Sequence, residues 1–310
     1  MTKSLRAPAD RFDTEVLGMH WIPLPSSDED TAAVLRERLG VDFTTPRDGI
    51  TAHGDFTFLP VTVNYCRGER VERETIVFAL GTEFVVTLQP AEPFLPFETA
   101  IAAMRRDATL TGSSYGVTFA LLWALNDASD RVLRWVGHTV EAQRDILDAA
   151  TAEHGNGLGA GPAREVIHRL GAAERVVARV RETQAQLAAA ARHLDVDYAA
   201  QTSGLGERIG SLVADIEGVA RRAEREHDGL RFLAQTATAC LGVRQSGILR
   251  LHTGVVAVFL PPTVLAASYA AEFTWLPRLD PIPALFVFVV VTALAAAVPL
   301  HYLGRGERRT

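Results

Sequence analysis

Two long apolar runs close this chain, and ahead of them the hydrophobic spacing changes from every second residue to every third or fourth. Leu251 to Ala271 is a run of about 21 residues whose only ionisable side chain is His252. Ile282 to Leu303 is a second run of about 22, interrupted only by His301. Roughly 20 apolar residues cross the hydrocarbon of a bilayer as a helix. Buried helices of soluble cores seldom run this far without a charge. The pattern therefore predicts two transmembrane helices, 251–271 and 282–303. The loop between them, 272–281, holds Pro277, Pro281, Glu272, Arg278 and Asp280, and Pro283 follows just inside the second run.

Upstream, Val16 to Leu24 suits a strand. Ser26 or Ser27 followed by Asp28-Glu29-Asp30 marks a helix start, with Thr31 to Leu39 continuing it and Gly40 ending it. Phe56 to Cys66 alternates in the strand manner, as do Thr75 to Leu80 and Glu83 to Leu88, the last two joined by a tight turn at Gly81-Thr82. This order predicts an α/β module over 1–112. From Phe97 the spacing turns helical, and Ser113-Ser114 can cap a segment from Tyr115 to about His154. Gly155 to Pro162 (GNGLGAGP) breaks it, and Glu165 to about Tyr198 is helical again. The simplest arrangement over 113–202 is an antiparallel helical pair.

A last long helix starts near Ser203, forms a stalk over 203–250 and enters the first apolar run with no proline before Pro261. It would be roughly 100 Å long at 1.5 Å per residue, so it needs partner helices. Ile209, Leu212, Ile216, Val219, Ala223, Leu230, Leu233 and Ala237 supply the seam. That seam fits either helices of the same chain or stalks of neighbouring copies. Pro261-Pro262 should kink the helix inside the span.

Charge then sets orientation and narrows the chemistry. Arg244 and Arg250 precede the first span, Arg305, Arg308 and Arg309 lie in the tail 304–310, and the loop carries one Arg. Both ends are therefore expected in the cytoplasm, with the loop outside. No N-terminal stretch resembles a signal peptide, which keeps the α/β module cytosolic. The net charge is −6, with no basic block outside the tail, which argues against nucleic acid as a partner. Cys66 and Cys240 stand alone and far apart, so they form neither a disulfide framework nor a zinc site. GNGLGAGP lacks the Lys-Ser/Thr of a phosphate loop and follows no strand. No Ser/His/Asp or paired-carboxylate constellation occurs at usable spacing, so the chain does not read as an enzyme, and no bound cofactor is expected.

The first span carries a resemblance. Val258-Phe259-Leu260-Pro261-Pro262-Thr263, followed by Tyr269-Ala270-Ala271-Glu272-Phe273 and Trp275-Leu276-Pro277-Arg278-Leu279, resembles the pore helix and outer loop of the CorA family of divalent-cation channels. Two departures mark this chain. Ala270-Ala271-Glu272 stands where the family has Gly-Met-Asn, and Arg278 replaces an acid of the loop. The resemblance implies a CorA-like funnel: a cytosolic α/β domain, long helices and a C-terminal two-helix hairpin, assembled as a homopentamer in the inner membrane. It also implies transport of a divalent cation, magnesium or cobalt, into the cytoplasm. A ZntB-like zinc transporter is the variant within that class. The lost signature points to another alternative, a non-conducting relative acting as sensor or partner subunit.

Carried over residue by residue, the family's pore face falls on Leu249, His252, Val256, Leu260, Thr263 and Ala267, ending at a mouth of Ala270, Ala271 and Glu272. Spacings of three and four are independently those of one helix face. Glu272 is the expected cation ligand; a place in the outer loop, splayed into water, is its other reading. His252 reads as a pH-sensitive barrier or soft-metal site, or as a residue packed between subunits. Asp215, Glu217 and Asp228 read as an intracellular magnesium sensor or as solvated charge.

Overall fold

The computed structural model describes residues 20–44, 49–68, 70–152, 160–199 and 205–270, with the single positions 286, 289, 290 and 293. Strand β1 (Trp21–Pro25) leads into helix α1 (Glu29–Leu39), then β2 (Thr51–His53), β3 (Phe56–Arg67), β4 (Arg70–Leu80) and β5 (Val85–Gln89). Helix α2 (Leu95–Arg106), a short 3-10 turn (Ala108–Thr111), α3 (Ser114–Ala152), α4 (Ala160–Ala199) and α5 (Gly206–Ala270) follow. Contacts divide the chain into two units, one of 1–146 with 165–235 and one of 147–164 with 236–310.

In the first unit the sheet runs β1-β5-β4-β3-β2, with β1 parallel to β5 and the other pairs antiparallel. Alternation along β3 sends Phe56 and Phe58 to one face and Leu59, Val61 and Val63 to the other. The first face joins Leu24, Leu35, Val41 and Val86 in a core under α1. The second joins Trp21, Ile76, Phe78, Phe97 and Met104 with residues of α3, α4 and α5. Trp21, Phe78 and Phe94 meet Phe97 edge-on at 5.7, 6.4 and 5.0 Å between ring centres.

Local chemistry sets the ends. Asp28 accepts from the Thr31 N–H at 3.1 Å and so caps α1. Gly40 closes it at φ +68, a left-handed backbone that glycine adopts without the Cβ penalty. At the start of α3, Ser113 Oγ accepts from Gly116 N–H at 3.1 Å, while buried Ser114 donates to the Gly81 carbonyl at 2.8 Å. The cap expected at this pair is present, and it ties α3 to the β4–β5 turn.

Beyond the three residues paired with β2, β3 is an edge, and α4 covers it. Gln186 Oε1 accepts from Thr62 N–H at 2.6 Å, and Thr183 Oγ donates to Thr62 C=O at 2.6 Å. Two side chains thus do for Thr62 what a neighbouring strand would do, and Pro60 fits the same edge because it has no N–H to leave open.

Several boundaries differ from the sequence pattern. Of the expected strand Val16–Leu24, residues 16–19 lie outside the described residues and His20 is not strand; the strand is Trp21–Pro25, carried on to Pro25 by its pairing with β5. β4 starts at Arg70 rather than Thr75. Its tip is held by Tyr65 Oη donating to Glu72 at 2.6 Å and by Arg67 bridging Glu72 and Glu92 at 3.2 and 2.9 Å. Burial, then the Glu72 contact, pushes the Tyr65 hydroxyl well above its ordinary pKa. The glycine-rich break is shorter at its far end, since α4 begins at Ala160 and contains Pro162. A first-turn proline needs no intrahelical acceptor for its missing N–H. The last helix begins at Gly206 and runs as a helix through Pro261-Pro262 to Ala270.

One surface contact predicts acid behaviour. Asp107 accepts from Thr109 N–H at 3.1 Å and from Arg208 at 2.7 Å, joining the turn after α2 to the start of α5. Hydrogen bonds from Thr109, then Arg208, hold its carboxyl below the usual 3.8. A depressed carboxylate stabilises the fold above its unfolded value, and that contribution is lost as pH falls through the folded value. Melting scans of Asp107→Asn should therefore fall less steeply than the parent's below about pH 4; identical acid limbs would refute the contribution.

Candidate functional site

The chemistry sought from the sequence falls on the C-terminal part of α5. Leu249, Val256 and Leu260 are 67%, 55% and 57% exposed, and His252, Thr263 and Ala267 are also exposed. Six residues expected to form one face thus lie on one helix and are exposed. The uncovered surface is wider than that face, because Thr253, Val255, Phe259 and Val264 are exposed too. Within one chain exposure does not single out which stripe faces a path. Ala270 is the last residue of α5. Ala271 and Glu272 lie outside the described residues, as does most of the second apolar run, of which Phe286, Val289, Val290 and Ala293 are helical and exposed. Among the described residues no helix is long and apolar enough to cross a membrane.

The two threonines share one habit. Thr253 Oγ donates to Leu249 C=O at 2.8 Å, and Thr263 Oγ reaches Phe259 and Leu260 C=O at 2.9 and 2.8 Å. Each hydroxyl spends its single proton on its own helix, leaving acceptor lone pairs for anything outside. An acceptor-only oxygen suits the waters of a hydrated cation, whose hydrogens point outward. This property was not read from the sequence, although threonine within an apolar helix signals it.

The acids proposed as a sensor are placed differently from one another. Glu217 is engaged by Arg192 at 2.9 Å and Arg221 at 4.0 Å, while Asp215 and Asp228 are exposed. Among the described residues no group of three or more His, Cys, Asp or Glu side chains is placed to hold a metal ion. Cys66 is a half-buried free thiol whose pKa burial raises.

Comparison with known proteins covers nearly the whole chain. A sequence profile of CorA, described as CorA-like Mg2+ transporter protein, matches residues 17–305. The magnesium transport protein CorA of Salmonella typhimurium is 22% identical over 295 residues, 89% of this chain and 88% of that protein. Among solved structures, the complete CorA magnesium transporter of Methanocaldococcus jannaschii superposes with a TM-score of 0.67 at 12% identity, covering 92% of this chain and 90% of that one. The full-length CmaX protein gives 0.61 at 13% identity, covering 92% and 87%.

Proposed function

The chain belongs to the CorA-like Mg2+ transporter family, a family of ion transporters rather than enzymes, and from that premise we propose that it is a homopentameric channel carrying magnesium or cobalt across the inner membrane into the cytoplasm. The supporting observation is the match over residues 17–305 together with the exposure of Leu249, Val256 and Leu260 on α5. In this reading 251–271 and 282–303 form a transmembrane hairpin in contact with lipid, with both chain ends in the cytoplasm. Two spans per chain cannot surround a path, so conduction requires several copies.

Each residue then has a task. Glu272 from each copy converges at the outer mouth, beside Ala270 and Ala271, and gathers cations from outside. Thr263 offers acceptor oxygens to the waters that magnesium holds tightly. Val256 and Leu260 form an apolar constriction that closes by dewetting, with Leu249 and Ala267 lining the path on either side. His252 sits at the cytoplasmic end of the span. The cation is cargo, and no resident cofactor is involved.

Purified protein reconstituted into liposomes should take up magnesium and cobalt, and in mild detergent its mass should fit five chains of 33.6 kDa. Zinc uptake that depends on a proton gradient would favour the ZntB-like variant. The replaced signature at Ala270-Ala271-Glu272 favours a second reading, a membrane-bound relative that keeps the architecture and does not conduct. A pentamer that passes no ion in this assay would establish that reading, and a monomer would overturn both.

A further inference from the structure

Pro261 and Pro262 sit in the middle of the first apolar run, and α5 continues as a helix through both of them to Ala270. A proline has no N–H, so the carbonyl four residues before it loses its helical donor, and the ring pushes that carbonyl outward. The two freed acceptors are the backbone oxygens of Ala257 and Val258. The nearest hydroxyls of the same helix are spent elsewhere. Thr263 Oγ donates to Phe259 and Leu260 C=O at 2.9 and 2.8 Å, and Thr253 Oγ donates to Leu249 C=O at 2.8 Å. Two adjacent carbonyls without donors are tolerated beside water or protein but not beside lipid chains, which offer no N–H or O–H.

The second apolar run supplies a matching group. Between Ile282 and Leu300 the only side chain with an N–H or O–H is Thr292. It lies outside the described residues, between Val290 and Ala293, which are helical and exposed. In a hairpin of two helices, depth is counted from the loop. Pro262 lies nine positions before Ala271, and Thr292 lies ten positions after Ile282. At 1.5 Å per residue these are about 14 and 15 Å into the two runs. The one donor of the second run therefore stands level with the place where the first run lacks donors. Small residues match one turn further from the loop: Gly254 and Ala257 in the first run, Ala295, Ala296 and Ala297 in the second. Small side chains let two membrane helices approach until backbone groups come within reach of a partner's hydroxyl.

The freed carbonyls also mark one side of α5. At about 100° per residue, Val258 lies opposite the stripe of Leu249, Val256, Leu260, Thr263 and Ala267, and Ala257 lies on its flank. Exposure does not choose between sides, because Thr253, Val255, Phe259 and Val264 are exposed as well. The demand of two carbonyls for a donor does choose.

We propose that the second apolar run packs along the Ala257–Val258 side of α5, where the Thr292 hydroxyl donates to the carbonyls freed by Pro261 and Pro262. The stripe from Leu249 to Ala267 is then the side turned to the path. The assignment rests on the transmembrane hairpin of the proposed function. A helical threonine can also turn its hydroxyl to the carbonyl four residues back. That carbonyl already holds an N–H, whereas the freed pair holds none, so the pair takes the proton where no water competes.

Thr292→Val should lower the melting midpoint of the full-length protein in detergent by about 2–4 °C. Thr292→Ser, which keeps the hydroxyl, should leave the midpoint within about 1 °C of the parent's. The decisive comparison is a background carrying Pro261→Ala and Pro262→Ala. There backbone N–H groups serve the two carbonyls again, so adding Thr292→Val should change nothing. An equal loss in both backgrounds, or no loss in either, overturns the contact. Cysteine pairs test the side directly and do not depend on the proline variants folding. With Cys66 and Cys240 replaced by serine, Val258→Cys with Thr292→Cys should close a disulfide within one chain in oxidised membranes, and Leu260→Cys with Thr292→Cys should not. No bond at Val258, a bond at Leu260 instead, or bonds only between chains overturns the packing. Magnesium uptake into liposomes by the parent separates this assignment from the transport reading. Uptake without the Val258 bond overturns the packing alone. The Val258 bond without uptake keeps the packing and favours the non-conducting relative.

Discussion

Gly116→Ala should destabilise the first unit by about 1–3 kcal/mol, the usual cost of overfilling a packed site. Helix propensity alone predicts the opposite sign, since alanine in a helix interior is favoured over glycine by about 1 kcal/mol. The reason is where α3 starts. A Cβ on Gly116 would stand 2.5 Å from the Leu110 carbonyl oxygen, 3.0 Å from its carbon and 3.2 Å from its Cα. All three are backbone atoms, so no rotamer change relieves the clash. The Leu110 side chain is buried at 3% exposure, and Asp107 and Arg208 brace the same turn from outside. The helix start is fixed in turn by Ser114 on Gly81 and Ser113 on Gly116. Gly116→Val should be worse, because its second methyl enters the same space. Gly229 in α5 provides the control: a Cβ there meets nothing within 4 Å, so Gly229→Ala should be neutral or slightly stabilising. Chemical or thermal unfolding of the three variants checks this, and a Gly116→Ala protein as stable as its parent would show that the turn does not approach so closely.

What the sequence disclosed divides by the range of the interactions. The end of α1, the long alternating β3, the β4–β5 pairing and the start of α3 follow from local rules: a glycine stop, period-two spacing and a serine cap. The start of α1 is capped by Asp28 rather than by Ser26 or Ser27, because the Asp28 carboxylate reaches the Thr31 N–H. β2 was not legible, since Thr51, Ala52 and His53 are all exposed and have no pattern; their strand form comes from pairing with Phe56 to Phe58. The end of β1 at Pro25 was hidden for the same reason, because a parallel partner more than sixty positions away sets its register. Arg70 to Glu74 lies ahead of the strand expected from Thr75, yet the Tyr65–Glu72–Arg67 contacts extend the hairpin across it.

For the candidate site, periodicity was enough to put Leu249, His252, Val256, Leu260, Thr263 and Ala267 on one helix. It was not enough to single out one side of that helix, since Thr253, Val255, Phe259 and Val264 are exposed as well. The burial of Gln184, 1% exposed, was invisible for a different reason. Gln184 sits in an alanine-rich helix amid Arg and Glu, where a glutamine reads as surface until tertiary packing closes over it.

Glu272→Lys should abolish cation entry, the largest functional effect expected of any single change. A hydrated divalent ion turns water hydrogens outward, so the family's asparagine receives it with a neutral carbonyl acceptor. Glu272 keeps acceptor oxygens and adds charge, which raises the local cation concentration through Coulomb attraction. In the proposed pentamer five carboxylates around one axis would repel each other, which favours a proton on part of the ring. Uptake into liposomes should therefore weaken as external pH falls, and more steeply than a neutral mouth allows. Glu272→Gln keeps the size and an acceptor carbonyl while removing the charge, so it should flatten that dependence. Glu272→Asn moves the mouth towards the family's residue and should raise magnesium flux where release of a tightly held ion limits the rate. Lysine reverses the field: five ammonium groups oppose a divalent ion at close range, and no acceptor remains for its waters. Ala270 and Ala271 leave no other charge beside the ring to offset this. If Glu272→Lys protein takes up magnesium like the parent, the carboxylate is not at the mouth, and the ion must be selected by the acceptor oxygens deeper in the span, of which Thr263 is the first to replace.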